Sequence, residues 1–263
     1  MGQSVTCYGA RVGLRVSDPS GLPALLDRLP PGWETKPAKT VERLYSFVVG
    51  GNGDGRVRRL NLLYGDSELL VRTRDLDEAL DRFAADVQLH VAEHAQRRVF
   101  VHAGVVGWRG RAIVMPGRSF SGKTTLVHEL VRAGATYYSD DYAVFDARGR
   151  VHPFPRQLSI RPNGTYKQER HSVESLGGVA GAEALPVGLV IVTQYDPGVQ
   201  GWRPRRLSTG RGVLELLAHA VAARRRPEGV LEALDRAVAE AQVLKGRRGE
   251  AERVAMRILE LAS

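Results

Sequence analysis

Eight consecutive residues form the sequence feature with the most direct chemical meaning. They are Gly117, Arg118, Ser119, Phe120, Ser121, Gly122, Lys123 and Thr124, and they complete the pattern G-x-x-x-x-G-K-[ST]. In a loop of this kind, backbone N–H groups surround phosphate oxygens, the lysine reaches the terminal phosphates and the hydroxyl holds Mg²⁺. The pattern therefore predicts a site for the anionic tail of a nucleoside triphosphate.

The residues on either side of the loop favour the strand–loop–helix setting that the pattern requires. The apolar run 112–115 predicts a buried strand, which Pro116 and Gly117 would end. Apolar residues after the loop follow one helical stripe, and Gly134 stands where a C′ glycine would close that helix. The last residues of the loop would then lie at a helix N-terminus, where unpaired N–H groups and the helix dipole favour phosphate.

Two adjacent carboxylates, Asp140 and Asp141, follow the β-prone run 136–138 shortly after this helix. A carboxylate beside such a loop could hold Mg²⁺ together with Thr124, or it could accept the proton of an attacking hydroxyl. Because adjacent side chains on a strand point to opposite faces, we expect only one of the two to enter the cleft fully. A solvated Asp-Asp turn is the alternative interpretation.

His102 is the third candidate, because it lies between two strand-like runs at 99–101 and 105–108, upstream of the loop. A lone histidine in this setting is more often a hydrogen-bonded scaffold residue than a catalyst. The spacing of His102 from the other candidates favours a functional role for this residue.

Taken together, three segments resemble the catalytic domain of the HPr kinase/phosphorylase family. The chain has V-H-A-G-V-V at 101–106, then the loop followed by Thr125 and Leu126, then a glycine and S-D-D-Y at 139–142. The family shows His-x-x-x-Val, then G-x-S-G-x-G-K-[ST], then a helix ending in Gly and an Asp-Asp pair. The intervals of 21 residues from His102 to Lys123 and 17 from Lys123 to Asp140 are similar to those of the family. The resemblance covers about 99–146, and 210–214 is more weakly similar to the family's P-G-R-N segment.

The resemblance implies an α/β fold, that of a P-loop kinase of the HPr kinase/PEP carboxykinase-like type, and transfer of the γ-phosphoryl group of ATP to a serine hydroxyl. Asp140 matches the general base, His102 the histidine that supports it, and Arg211 an arginine near the transferred phosphate. Lys123 matches the phosphate-binding lysine. The implied cofactors are ATP and Mg²⁺, with Thr124 and Asp141 near the metal. The implied nucleotide-binding residues are Gly117, Arg118, Ser119, Phe120, Ser121, Gly122, Lys123, Thr124 and Thr125.

Two departures from the family narrow the expected substrate. Phe120 stands where the family usually has glycine, and the L-E-I-R-G-L-G signature is absent, with 166–170 in its place. The chain looks more like stand-alone HPr-kinase-like proteins, some of which modify a serine of ribosomal peptides such as lasso peptides. We therefore expect a peptide or protein with an acceptor serine. The alternatives are a small-molecule kinase on the same scaffold and a non-catalytic nucleotide-sensing protein that contacts nucleic acid.

Composition sets limits on partners and location. The 263 residues are 43% hydrophobic and 25% charged, an ordinary globular composition, and no apolar stretch of 18 residues predicts a membrane span. The single Cys7 excludes an internal disulfide, so we expect a cytoplasmic protein. The net charge of +9 comes largely from arginine clusters at 203–206, 224–226 and 247–248. Because no aromatic residues interleave with these arginines, nucleic acid is an unlikely partner. The sequence leaves open whether the protein forms a homo-oligomer.

The chain divides by pattern into a small α+β unit at 1–95 and a catalytic unit at 96–263. In the first unit we expect a strand across 6–17, a helix over 22–29, strands at 44–49, 57–63 and 68–72, and a helix opened by a capping box at 75–78. In the second we expect further strands at 143–146, 158–160 and 189–192. Helices are expected at 123–133, 212–223, 229–243 and 250–261.

Two further motifs have simpler interpretations. The segment 90–94 matches the zinc-peptidase pattern H-x-x-E-H, but an exposed helix end explains it better. The run 189–196 has the form of an apolar strand ending in Asp196, and we interpret 196–198 as a turn.

Overall fold

A computed structural model describes residues 2–50, 60–118, 121–156, 158–160, 169–171 and 173–262. The chain forms two compact units, Met1–Arg97 and Arg98–Ser263. The division falls two residues after the one expected from the sequence.

The first unit is a six-stranded sheet with two helices. Its elements are β1 (Gly2–Cys7), β2 (Ala10–Val16), α1 (Gly21–Leu26), β3 (Trp33–Thr35), β4 (Arg43–Val48), β5 (Asn61–Gly65), β6 (Glu68–Thr73) and α2 (Leu76–His94). The strand order is β3-β1-β2-β4-β5-β6, with β2 and β4 parallel and the other neighbours antiparallel. Side chains from the sheet and from α2, among them Phe47 and Phe83, form a buried core.

Two details in this unit follow from local chemistry. The expected single strand across 6–17 is wrong, because Tyr8 and Gly9 adopt positive φ values of 50° and 91° and turn the chain into a hairpin. The Asp75 side chain accepts from the backbone N–H groups of Asp77 and Glu78, which caps α2 as expected. The reciprocal half of the expected capping box is absent, because the Asp75 N–H donates to the Thr73 hydroxyl and that hydroxyl donates to Glu78. The predicted strand at 57–63 appears as β5, and residues 57–59 lie outside the described part of the chain.

The second unit contains the loop at 117–124. Its elements are β7 (Val99–Trp108), β8 (Arg111–Pro116), α3 (Lys123–Arg132), β9 (Thr136–Ser139), β10 (Tyr142–Phe145), β11 (Val151–His152), β12 (Leu158–Ile160), β13 (Glu169–His171), β14 (Val187–Tyr195), β15 (Arg205–Arg206), α4 (Thr209–Leu217), α5 (Pro227–Val238), β16 (Gln242–Arg248) and α6 (Ala251–Leu261). Short 3-10 turns occupy Glu174–Leu176 and Val221–Arg224.

Eight strands of this unit form one mixed sheet in the order β11-β10-β7-β8-β14-β16-β15, with β9 also paired to β7. The strands β8, β14 and β16 are parallel, so their carboxyl ends lie along the same edge of the sheet. The strand β7 runs antiparallel to β8. The structure is thus a mixed α/β protein with two large sheets and six α-helices in its described residues.

Both faces of the large sheet are covered, and β8 shows how. Ala112 and Val114 face a core shared with α4 and α5, whereas Ile113 and Met115 face a core shared with α3 and α6. A strand buried on both faces is apolar throughout, which explains the run that the sequence displays before the loop. The sheet therefore fixes the start of the loop rigidly.

Three sequence expectations in this unit are wrong. The runs 99–101 and 105–108 belong to one continuous strand, so His102 lies within β7. The predicted helix 229–243 ends at Val238, and the following residues form β16 in the sheet. The predicted helix 212–223 is α4 followed by a 3-10 turn. Among the helices that the structure describes, none combines the length and apolar character needed to cross a bilayer.

Candidate functional site

The loop at 117–124 joins the buried end of β8 to the first turn of α3. Gly122 precedes the helix with a left-handed φ of +81°, a conformation that glycine adopts without the steric cost of a Cβ atom. Its carbonyl accepts the N–H of Leu126 at 3.1 Å, which begins the helical hydrogen bonding. Ser119 and Phe120 lie outside the described residues, and Thr125 is exposed on the first turn of the helix.

The C-terminal end of α3 is closed as the sequence predicts. Gly134 has a φ of +101°, and its N–H donates to the carbonyl of Val131 at 2.9 Å. The N–H of Ala135 donates to Leu130 at 3.0 Å, which completes a Schellman arrangement. The helix therefore has defined ends, and its N-terminus, where the first N–H groups have no partner within the helix, faces the loop.

Lys123 lies at the start of α3 with its side chain turned back over the loop. Its Nζ donates to the carbonyl oxygens of Gly117 at 2.9 Å and Arg118 at 2.7 Å. Burial lowers the pKa of Lys123, and the charges of Asp141 and Asp140 oppose that shift. The ammonium is thus held among backbone oxygens and near two carboxylates, at a place where a phosphate would be a stronger partner.

The two aspartates follow β9 and occupy different environments. Ser139 shapes their turn, because its Oγ accepts the N–H groups of Asp141 at 3.2 Å and Tyr142 at 3.0 Å. Asp140 is buried, with 9% of its surface exposed, whereas 52% of the Asp141 side chain is exposed. The two adjacent side chains therefore differ in burial, while the expectation that only one of them enters the cleft fully stays a prediction.

Asp140 is hydrogen bonded on the side of the loop. The Tyr137 hydroxyl donates to its Oδ1 at 3.0 Å, and the Thr124 hydroxyl also hydrogen bonds to its carboxylate. Burial, with a further contribution from the charge of Asp141, raises the pKa of Asp140 to about 6. Thr124 and Asp140 therefore place a hydroxyl and a carboxylate together at the mouth of α3.

Asp141 and His102 form the more open side of the site. Arg156 approaches Asp141 with an Nη1–Oδ2 distance of 3.1 Å. The His102 ring stacks on Tyr142 with 4.4 Å between centroids, and its Nε2 lies 3.4 Å from the Tyr142 hydroxyl. Burial lowers the pKa of His102, and the charge of Asp141 partly offsets this effect, so the two groups interact electrostatically.

The backbone of β7 connects His102 directly to the loop. The His102 carbonyl accepts the N–H of Gly117 at 3.1 Å, and the N–H of Ala103 donates to the carbonyl of Asp141 at 3.1 Å. The loop, His102 and the aspartate pair, which the sequence places far apart, therefore meet at one edge of the sheet.

The structure adds two site residues that the sequence gave no reason to select. The carbonyl of His219, after α4, accepts the N–H of His102 at 2.9 Å. Burial lowers the pKa of His219, and the charges of Lys123 and Arg118 lower it further. Arg248, the last residue of β16, is only 3% exposed, and its Nη2 donates to the carbonyl of Gly122 at 2.9 Å. Their distance along the chain from the loop is the reason that no local pattern indicates them.

Arg211 has a different setting from the other expected residues. It lies exposed in the first turn of α4, where its N–H donates to the Ser208 side chain. No hydrogen bond or ion pair within the described residues joins it to the loop. Its expected role near the transferred phosphate stays a prediction.

The other two motifs do not add to the site. The His90 and His94 rings stack at 4.1 Å, and His90 is buried, contrary to the expected exposed helix end. In the described chain, no group of three or more histidine, cysteine, aspartate or glutamate side chains is arranged to bind a metal. Asp196 forms the expected turn, since its Oδ1 accepts the N–H of Gly198 at 3.0 Å.

The residues at the mouth of α3 fit Mg²⁺. This ion prefers oxygen ligands, keeps several waters and binds through one or two carboxylates together with substrate phosphates. The hydrogen-bonded pair of Thr124 and Asp140 supplies a hydroxyl and a carboxylate beside the loop. A site of this kind completes its coordination with phosphate oxygens and does not need a cage of protein ligands.

Comparison with solved structures gives distant likenesses, one of which is described here. No protein-family profile and no curated protein matches the chain. The HPr(Ser) kinase/phosphatase from Coxiella burnetii is similar in structure, with 15% sequence identity and a TM-score of 0.32, over 62% of this chain and 92% of that chain. At this identity and TM-score, the likeness does not carry an activity from one protein to the other. The chemistry of the site therefore rests on the residues described above.

Proposed function

We propose that this protein is an ATP- and Mg²⁺-dependent kinase that transfers the γ-phosphoryl group to a serine hydroxyl of a peptide or protein. The observation that carries the proposal is the hydrogen-bonded pair of Thr124 and Asp140 at the mouth of a helix that begins with Gly122 and Lys123. In P-loop enzymes a loop hydroxyl and a nearby aspartate share the magnesium ion in this way. The resemblance in motif order to HPr kinases agrees with the proposal.

The roles of the chain's residues follow from their positions. Lys123 and the N–H groups at the start of α3 bind the β- and γ-phosphates, while Thr124 and Asp140 would hold the metal. Mg²⁺, when bound, neutralises charge on the phosphate oxygens. Positioning and charge neutralisation supply most of the rate in phosphoryl transfer, so few reactive groups are needed.

The geometry favours Asp141 as the proton acceptor, which reverses the roles expected from the sequence. Asp140 is buried against Tyr137 and Thr124, whereas Asp141 is half exposed and interacts with His102. In the proposed step, the serine oxygen forms a bond to the γ-phosphorus while Asp141 accepts the proton of the serine hydroxyl. The bond from that phosphorus to the β,γ-bridging oxygen breaks, and ADP leaves.

A comparison of two variants tests this assignment. We expect Asp141→Asn to bind ATP normally and to stop transfer, because the acceptor of the proton is lost. Asp140→Asn should instead raise the Mg²⁺ concentration needed for tight ATP binding, because a metal ligand is weakened. Calorimetric titration of ATP at several Mg²⁺ concentrations separates the two effects. If Asp140→Asn binds Mg²⁺–ATP like the wild type and Asp141→Asn transfers phosphate normally, the assignment is wrong.

The kinase activity itself is tested with γ-labelled ATP and two panels of acceptors. The first panel contains peptides with a serine and matched peptides with alanine in its place, and the second contains small-molecule alcohols. We expect label on the serine peptides alone, and none with Lys123→Ala. Label on the small alcohols alone would identify a small-molecule kinase. ATP binding without any labelled product would indicate a nucleotide sensor instead.

A further inference from the structure

The direction in which a nucleotide would lie can be deduced from the sheet. The aspartate pair and His102 lie on the β7 side of β8, where the γ-phosphate would meet them. The rest of the nucleotide must then extend to the other side of β8, where β14 and β16 end. In parallel sheets, ligands bind beyond the carboxyl ends of the strands. The nucleobase is therefore expected near the last residues of β14 and β16.

The last residue of β14 is suited to receive a planar group. Tyr195 is 40% exposed, and among the described residues it is the only aromatic side chain with an exposed environment. Its Cβ lies 3.8 Å from the position that a Cβ atom on Gly122 would occupy, so this residue lies beside the C-terminal end of the loop. An exposed aromatic ring next to a candidate phosphate site calls for an explanation beyond packing.

The Tyr195 ring is held in place on two sides. Its hydroxyl donates to Oε1 of Glu250 at 2.6 Å, and the guanidinium carbon of Arg248 lies over the ring at 5.7 Å from the centroid. A ring fixed in this way loses little conformational freedom when a ligand stacks on it.

Arg248 provides a second, independent indication of a ligand. The residue is 97% buried, its Nε has no hydrogen-bond partner, and the ion pairs of the described chain do not include it. Its two terminal nitrogens donate to the carbonyl oxygens of Gly122 and Gly249, both at 2.9 Å. Burial lowers the pKa of Arg248, and the charge of Glu250 opposes this shift only in part. A buried cation without a direct ion pair is costly, and an anion bound nearby would stabilise it.

We propose that Tyr195, backed by Arg248 and fixed by Glu250, stacks on the nucleobase of the bound nucleotide. This proposal rests on the proposed function, because it presumes that the loop holds the phosphates. It adds that base stacking contributes to affinity, and that the base lies on the β14–β16 side of the loop. Stacking accepts any base with an extended π-face, with the larger purines favoured.

Equilibrium binding of two probes, ATP and inorganic tripolyphosphate, tests the proposal in the presence of Mg²⁺. The two share the phosphate chain, and only ATP carries a base. We expect the wild type to bind ATP more tightly than tripolyphosphate. Tyr195→Ala should weaken ATP binding roughly tenfold and leave tripolyphosphate binding unchanged, as the loss of one stacking partner predicts. Tyr195→Phe should keep most of the ATP affinity, and Tyr64→Ala, a tyrosine of the other unit, serves as the matched control.

The outcomes separate this proposal from the one on which it rests. If Tyr195→Ala weakens both probes equally, the residue only braces the loop and the stacking role is wrong. The same conclusion follows if Tyr195→Ala leaves ATP affinity unchanged, or if the wild type binds ATP no more tightly than tripolyphosphate. In all three cases the phosphate site stands. If the wild type binds neither probe, the proposed function fails and the nucleobase site fails with it.

Discussion

At the scale of single residues, the site contains a carboxylate that is held where its charge is unfavourable. Asp140 is buried beside Asp141, and both effects raise its pKa to about 6 from 3.8. The hydrogen bonds from Tyr137 and Thr124 offset only part of this shift. A group kept in this state lowers the stability of the folded protein, and such groups occur where function requires them.

The raised pKa of Asp140 predicts how the free energy of unfolding depends on pH. Between about pH 4 and pH 6, folded Asp140 keeps a proton that the unfolded chain has released, so its contribution to stability decreases as pH rises. The full difference is on the order of 3 kcal/mol. We expect Asp140→Asn, which lacks this titration, to gain stability relative to the wild type as the pH rises from about 4 to about 6, and to keep that gain at higher pH. Urea denaturation without metal or nucleotide measures it, and parallel pH profiles for the two proteins would contradict the argument.

Individual site residues were predictable from the sequence when their signal was local. The loop at 117–124 and the aspartate pair can be selected as candidates from residue type and spacing alone. Arg248 was not predictable, since it reaches Gly122 from 126 positions away and appears in the sequence as half of an Arg-Arg pair typical of a solvated surface. The assignment of roles within the aspartate pair also needed the structure, because only burial and the contact with Thr124 distinguish Asp140 from Asp141.

At the scale of elements, the position of α3 depends on a glycine in β7. A Cβ atom on Gly104 would lie 2.6 Å from Cγ2 of Val127 and 3.8 Å from the Cβ of Lys123. The absence of a side chain therefore lets the first turns of the helix pack closely against the strand. The helix and the strand carry Lys123 and His102, so this close approach determines the width of the site.

We expect Gly104→Val to force α3 away from β7. Overpacking of this kind costs about 1–3 kcal/mol of stability, and the displaced helix should also weaken ATP binding. Gly104→Ala should show the same effects to a smaller degree. Thermal unfolding and ATP titration together test the prediction, with Gly210→Val as a control, because a Cβ atom at that glycine meets nothing within 4 Å. A Gly104→Val variant with wild-type stability would show that the helix can move freely.

Elements were predicted well where the local pattern of apolar residues was clear. They were predicted poorly where pairing with strands distant in the sequence determines the structure. The run before the loop is apolar because β8 is covered on both faces, and it was recognised. In contrast, apolar residues at helical spacing continue past α5, so the predicted helix 229–243 extends into the first two residues of β16, and the rest of that strand is not predicted. The strand forms because β14 and β15 offer partners on both sides, which no local pattern of the sequence contains.

The helix α2 of the first unit supplies a pH response of the opposite sign. Burial, with smaller effects from His94 and Arg43, lowers the pKa of His90 to about 4 from 6.5. Below about pH 6.5 the unfolded chain binds a proton that folded His90 does not, so stability falls on acidification. We expect a loss of about 2 kcal/mol in this unit between pH 7 and pH 5, absent in His90→Leu. Hydrogen exchange of backbone amides in β2 and α2 measures this loss of stability. Equal exchange rates in the wild type and in His90→Leu at pH 5 would refute the prediction.

At the scale of the whole molecule, the two units each contain a sheet and a core, and only the second contains the candidate site. The excess of positive charge is distributed over both the surface and the interior. Arg248 is buried, Arg226 donates to the carbonyl of Arg98, and Arg247 pairs with Asp196 at 3.1 Å. Arg226 and Arg248 therefore have backbone partners within the protein, whereas the other clustered arginines are exposed, namely Arg203, Arg205, Arg206, Arg224, Arg225 and Arg247.

This distribution predicts how the protein should behave with nucleic acid. A protein that binds DNA or RNA through many phosphate contacts loses affinity by orders of magnitude between 50 and 200 mM salt, roughly in proportion to the number of contacts. We expect weak retention of duplex DNA with a shallow salt dependence, because the pairing of Arg247 with Asp196 and the burial of Arg248 reduce the number of arginines available for phosphate contacts. Replacing the exposed Arg205 and Arg206 by serine should remove most of it without changing ATP affinity. A steep salt dependence, or retention that requires ATP, would instead favour a nucleotide-controlled nucleic-acid-binding protein and count against the kinase.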